Sequence, residues 1–167
     1  MSLGSARPEV QFAIRMVSEA ARLARTIQAS MAVLNLTKSD LSPVTVADFA
    51  SQAYVARALS LEFPEDRLIA EENSETLHKS QDVLDTVCRF LGRVIPDAEP
   101  EQVCQWIDRG GSEPTSRFWT LDPVDGTKGY MRGGQYAVAL ALVVDGQVEV
   151  GAIACPNLSE GFVPATL

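Results

Sequence analysis

The segment Asp122-Pro123-Val124-Asp125-Gly126-Thr127 sets two carboxylates three residues apart, around a proline and ahead of a glycine. Pro123 breaks the extended run before it and fixes the chain direction, and Gly126 opens backbone conformations that other residues resist. A tight turn of this kind can aim both carboxylates and the Val124 carbonyl at one point. Such an all-oxygen donor set suits Mg²⁺, which takes octahedral geometry and usually keeps several waters. The same residues can also form an Asx-type turn, in which each aspartate bonds a local backbone amide. Taken alone, the motif reads first as that turn.

Other acidic residues reverse the order. Glu71 and Glu72 follow a short apolar run, 67–70, that reads as a strand. Neighbours on a strand point to opposite sides, so only one of the two is expected to join a given site. An acidic pair at a strand end is ordinarily just solvated, but beside the aspartates it could complete a two-metal cluster. Asp48 falls in the first turn of a helix expected from Thr45 onward. Thr45-x-x-Asp48 fits a capping box in outline, and capping alone would explain it. Thr127 reads first as a cap or turn hydroxyl. His78, the single histidine, lies in a polar stretch and reads as a surface residue, so no Ser-His-Asp or Cys-His triad can be assembled around it. The sequence contains no P-loop, no Gly-x-Gly-x-x-Gly and no His-Glu-x-x-His.

The elements that would position these residues follow from apolar spacing. Residues 8–34 carry apolar side chains at Ala13, Met16, Val17, Ala20, Leu23, Ala24, Ile27, Met31 and Leu34, the stripe of a long amphipathic helix. Residues 37–42 read as a loop. A second helix runs from about Thr45 to Pro64, and a third covers Val83, Leu84, Val87, Cys88, Leu91 and Val94. Residues 73–80 and 96–100 read as polar connections, 103–107 as a helical turn or more, and 110–116 as a flexible turn-rich excursion. Residues 118–121 form a strand that Pro123 stops. Two apolar runs, 136–144 and 148–155, flank Asp145-Gly146, the pair favoured by a type I′ hairpin turn. The expected architecture is α/β or α+β layered, with long helices on a largely antiparallel sheet. Residues 1–7 read as a tail or partly an expression scar, and 8–167 as one domain.

The 167 residues are 46% hydrophobic and 22% charged, enough to bury a core, and the net charge is −8. That balance argues against nucleic-acid or anionic-membrane binding, which want basic patches, but not against a small anionic substrate held through metal ions. The three cysteines, Cys88, Cys104 and Cys155, read as reduced thiols of a cytoplasmic protein. No run approaches the ~18 apolar residues of a membrane span, and no signal-peptide core is seen at the N-terminus.

Three motifs in order resemble the lithium-sensitive, Mg²⁺-dependent phosphatases of the inositol monophosphatase superfamily. They are VTVADFASQ (44–52), LIAEEN (68–73) and WTLDPVDGTKGYMRGGQYAVALALVVDGQVEVGAIACPNL (119–158). Ala70 stands where many members have glycine. The stretch TKGYMRGGQYAVALAL is most similar to the 3′(2′),5′-bisphosphate nucleotidases. The resemblance implies the N-terminal αβ unit of a sugar-phosphatase-type fold. It implies that Glu71, Asp122 and the Val124 carbonyl hold a first Mg²⁺, and that Asp122 and Asp125 hold a second. Two or three ions would be bound in the complete fold. Asp48 and Thr127 would be a hydrogen-bonded pair that activates the attacking water, and the Gly126 and Thr127 amides would cradle the phosphate. Two metals about 4 Å apart can make water nucleophilic and stabilise both attacking and leaving oxygens.

The implied reaction is removal of the 3′-phosphate from adenosine 3′,5′-bisphosphate, giving AMP and phosphate. An inositol-phosphate phosphatase is the nearest alternative, and a non-catalytic fragment acting through protein contacts is a third. Family members continue through a second αβ unit with a further metal-ligating aspartate in a Trp-Asp motif. Asp145, the only aspartate after Asp125, lies in the presumed hairpin turn and cannot replace it. The expectation is therefore a chain lacking the C-terminal half, weak in Mg²⁺ binding and turnover by itself. Its exposed apolar sheet would self-associate or take a partner.

Overall fold

The computed structural model describes residues 7–33, 42–96 and 98–158. Leu34, residues 37–41 of the expected loop, most of the 1–7 tail and residues 159–167 lie outside that set. The elements in order are α1 (Pro8–Val33), α2 (Pro43–Glu62), β1 (Arg67–Ile69), α3 (Ser74–His78), α4 (Gln81–Leu91), α5 (Pro100–Asp108), β2 (Arg117–Asp125), α6 (Thr127–Met131), β3 (Ala137–Val144) and β4 (Gln147–Ala154). The sheet order is β1-β2-β3-β4, with β1 parallel to β2 and the other pairs antiparallel. The layered α/β architecture with a largely antiparallel sheet is what the sequence predicts.

One face of the sheet packs on α1 and α2. Alternate residues Trp119, Leu121, Val138, Leu140, Leu142 and Val150 point into this layer and meet Phe12, Met16, Val17 and Leu59. The period-2 alternation of the strands matches the helical stripe of α1. Phe12 and Phe63 pack edge-on or tilted against Trp119, with ring centroids 5.1 and 5.8 Å away. The buried indole N–H donates to Asp66 at 2.9 Å, and Asp66 also accepts from Arg117 at 2.8 Å. A second apolar cluster fills the space between α1, α2, α4 and α5, around Ile27, Phe49, Val87, Phe90 and Ile107. No helix among the described residues is long and apolar enough to cross a membrane.

Four local expectations change. β2 does not stop at Pro123 but runs on to Asp125. A register shift between Asp122 and Asp125 leaves Pro123 at a bulge opposite β3, and β1 pairs only as far as Thr120, so no ladder bond needs the missing N–H. Residues 74–78 form α3, whose Ser74 amide and hydroxyl both donate to Asp108, at 2.8 and 2.7 Å. α5 contains the expected helical turn at 103–107 but reaches back into the expected 96–100 connection. It starts at Pro100, and a capping box joins Glu99 and Gln102. The 110–116 excursion is pinned at its start, where Gly111 bridges Ile69 and the Gly110 carbonyl accepts from Ala70 at 2.8 Å. The hairpin follows expectation: Asp145 and Gly146 both have positive φ, 48° and 77°, as a type I′ turn requires.

Candidate active site

α2 carries Asp48, the bend after β1 carries Glu71 and Glu72, and the end of β2 carries Asp122 and Asp125. The capping reading of Asp48 fails. The N-cap of α2 is Ser42, so Thr45 is already inside the helix and Asp48 lies in its second turn. A half-buried carboxylate with no capping work has to be explained by what it faces. It faces other carboxylates. Burial first, then the charges of Glu72, Asp122 and Glu71, push Asp48 up to about 8. Burial and the charge of Asp125 also raise Asp122, with a smaller push from Glu71, while a backbone hydrogen bond from Val124 offsets part of the shift. That bond is the Asx-type contact expected of an isolated motif, and here it coexists with the acidic cluster.

Strand alternation does not govern Glu71 and Glu72, because β1 ends at Ile69 and both residues sit in the bend beyond it. Both act on Asp48, with Glu72 the stronger. Glu72 is itself raised by burial and by Glu71. Sequence reasoning singled out Glu71 and passed over Glu72; the shortness of the strand was the available signal. The bend is held by Gln52, one turn after Asp48, which donates to the Glu72 carbonyl at 2.7 Å and accepts from the Glu72 amide at 3.0 Å.

The turn after Asp125 is built by glycine. Gly126 has φ 93° and caps α6, so Thr127 opens that helix. The Gly126 and Thr127 amides stand where a helix start leaves N–H groups without intrahelical partners. α6 is tied to α1 by Tyr130. Its hydroxyl donates to the Ala24 carbonyl at 2.8 Å, and its carbonyl accepts from Gln28 at 2.6 Å. Tyr130 stacks edge-on with Tyr136, centroids 4.8 Å apart, and the charge of Asp48 contributes to raising its phenol. Thr127 is exposed, α6 packs on α2, and among the described residues no hydrogen bond joins Thr127 to Asp48.

The donor set fits a hard divalent cation. Every side-chain charge acting on Asp48 is a carboxylate, and none of the ion pairs among the described residues engages Asp48, Glu71, Glu72, Asp122 or Asp125. Oxygen donors that repel one another and lack a basic partner are the chemistry that Mg²⁺ satisfies. Glu71, Asp122 and Asp125 are open to solvent, and among the described residues no three Asp, Glu, His or Cys side chains already stand in a geometry that would hold a metal ion. A hollow of about 390 Å³ lies beside Asp122 on the sheet face away from the helices, lined by Thr120, Ala139, Ala141, Gly151 and Ile153. A separate hollow of about 790 Å³, lined by Arg67, Trp106 and Arg109, lies at the start of β1 and so at the other end of that strand from the carboxylates. His78 is exposed, as expected.

The sequence model of the inositol monophosphatase family matches residues 6–165. The 3′(2′),5′-bisphosphate nucleotidase 1 of Candida albicans is 45% identical over 141 residues, 77% of this chain and 39% of that protein. The 3′(2′),5′-bisphosphate nucleotidase of Oryza sativa is 41% identical over 170 residues, covering 93% and 48%. The chain thus spans between 39% and 48% of the length of these relatives. Among solved structures, inositol monophosphatase II from Staphylococcus aureus MSSA476 superposes with a TM-score of 0.57 at 18% identity, over 88% of this chain and 41% of that one. At that identity the match speaks to the fold.

Proposed function

From the premise that this chain belongs to the inositol monophosphatase family, we propose that it carries the cation-binding and water-activating part of a Mg²⁺-dependent phosphomonoesterase. The substrate class is a small phosphorylated nucleotide, and the reaction is hydrolysis of the 3′-phosphate of adenosine 3′,5′-bisphosphate to give AMP and phosphate. The names of the relatives support the substrate, as bisphosphate nucleotidases recur among them. The observation that carries the chemistry is the mutual charge of Asp48, Glu71, Glu72, Asp122 and Asp125, brought together from three separate segments.

In this reading Glu71, Asp122, Asp125 and the Val124 carbonyl hold Mg²⁺. When bound, the ion neutralises charge on the phosphoryl oxygens and acidifies water. Asp48 accepts a proton from the attacking water and, with Thr127, orients it. The Gly126 and Thr127 amides bind phosphate oxygens, and the exposed rim of the site admits the nucleotide. The protein acts in the cytoplasm as a phosphatase with lithium-sensitive Mg²⁺ use.

The test is phosphate release from adenosine 3′,5′-bisphosphate and from inositol 1-phosphate, each with and without Mg²⁺, by the longest available form of the chain. Faster Mg²⁺-dependent release from the nucleotide is expected. The reverse preference would convert the reading to an inositol-phosphate phosphatase, and silence on both with an intact fold would convert it to a non-catalytic chain. Asp125→Asn is expected to lower whatever Mg²⁺-dependent rate is seen by at least ~100-fold, since it removes a ligand outright.

A further inference from the structure

We propose that Gln52 is a positioning residue that locks the Glu71–Glu72 bend against Asp48 and thereby sets the divalent-cation affinity of the carboxylate cluster. The inference rests on the metal reading above. Its own basis is the hydrogen bonding of one buried amide.

Gln52 is 0% exposed. Its carboxamide offers two N–H donors and one carbonyl oxygen. Both donors are used, to the Glu72 carbonyl at 2.7 Å and to the Ile107 carbonyl at 2.8 Å. The oxygen accepts from the Glu72 amide at 3.0 Å. The side chain therefore pairs with both backbone polar groups of Glu72, as a neighbouring strand would, at a point where β1 has already ended. It ties that pair to the C-terminal end of α5 with its remaining donor.

Three anchors hold the segment after β1. Ala70 donates to the Gly110 carbonyl, Glu72 pairs with Gln52, and Ser74 donates twice to Asp108. Of these, only Gln52 comes from the helix that carries Asp48. Positions 48 and 52 lie one turn apart on the same face of α2. The separation between the Asp48 carboxyl and the acidic bend is thus set within a single turn of one rigid helix. Few side chains can replace this amide. Glutamate would present oxygens to two carbonyls, methionine would take the side-chain partner from both backbone groups of Glu72 while the Ile107 carbonyl keeps its bond from the Gly110 amide at 2.9 Å, and asparagine falls one methylene short.

Gly110 makes the room. A β-carbon there would lie 2.5 Å from Gln52 Nε2 and 3.0 Å from the Ala70 methyl. Gly110→Ala therefore crowds the amide out of its position without removing it, and presses on Ala70 as well, which makes a second perturbation of the same bend.

The experiment compares the whole chain with Gln52→Met and Gly110→Ala by calorimetric Mg²⁺ titration, Mn²⁺ binding by electron paramagnetic resonance, and amide hydrogen exchange. Both variants are expected to weaken cation binding 10- to 100-fold, the range for residues that orient metal ligands. They are also expected to speed exchange selectively at the Glu72 amide. A general loss of packing would instead lower the melting temperature without singling out that amide. Cation affinity unchanged within about twofold, in whichever variant melts cooperatively, would overturn the role of Gln52. Absence of cation binding by the unaltered chain would instead overturn the metal reading, and the affinity claim with it.

Discussion

At the residue scale, Asp48 shows what the site costs the fold. Its pKa in the folded, metal-free chain is about 8, against 3.8 for an ordinary aspartate. Between those values the folded chain keeps a proton that the unfolded chain has lost, so stability falls as pH rises from about 4 to about 8. Below that window both states hold the proton and the penalty disappears. In the presence of a chelator, Asp48→Asn is therefore expected to raise the melting temperature by several degrees near pH 8, with the gain shrinking toward pH 5. Melting curves across that pH range check it, and a gain that does not vary with pH would rule out the charge argument. Because Asp48 is also the proposed water-activating base, the stabilised variant should be inactive. Gains of this kind are common where catalysis has placed repelling groups.

At the scale of elements, α6 is the part most dependent on close approach. Glycine inside a helix is usually a loss, but a β-carbon at Gly129 would collide with the Gln135 carbonyl oxygen as the chain turns back toward β3. Gly129→Ala is expected to cost about 1–3 kcal/mol through this clash, read as a lower midpoint in urea. Tyr130→Phe removes only the hydroxyl's bond to Ala24 and should cost about 1 kcal/mol. An equal cost for the two would mean that the loop after α6 relaxes freely around the new methyl group.

Much of this architecture was legible in the residues. The stripe of α1 and the Asp145-Gly146 turn declare themselves, because burial on one side and positive φ at two positions leave few other choices. The acidic motifs and their order were legible too. What escaped was whatever depends on a partner distant in sequence. Pro123 reads as a stop until β2 is seen to bulge there and carry on beside β3. Thr45 and Asp48 read as a cap until Ser42 is found in that position. α3 is short and polar, and it owes its start to Asp108, 34 residues away. Gln52 carries no sign of its task, since a lone glutamine on a helix is ordinary.

At the scale of the whole molecule, the sheet has unequal faces. The inner face is filled by α1 and α2, while the outer one presents Thr120, Ala139, Ala141, Gly151 and an Ile153 that is 69% exposed. The carboxylates stand at the rim of that open face, through Asp122. Relatives more than twice as long as the matched stretch have further chain with which to cover such a surface. Studied alone, the chain is expected to self-associate reversibly through it. Sedimentation should show a concentration-dependent rise in mass, and Ile153→Lys should abolish that rise without lowering the melting temperature. A mass that stays monomeric at high concentration would count against the idea.

The sheet also has two borders. On the β1 side, Gly111 bridges Ile69 and blunts the border. On the β4 side, strand order ends with Gln147–Ala154, and one row of its amides and carbonyls has no strand partner among the described residues. Glu149, paired with Arg7 at 3.2 Å, is the one charge on that strand. An uncovered strand of this length is a template on which another strand can grow. The fate of the chain at high salt, where Arg7 and Glu149 attract each other less, then becomes a question of fibre growth. Slow β-rich aggregation that Ile153→Lys leaves intact, and that a proline placed in β4 stops, would mark this border as the route.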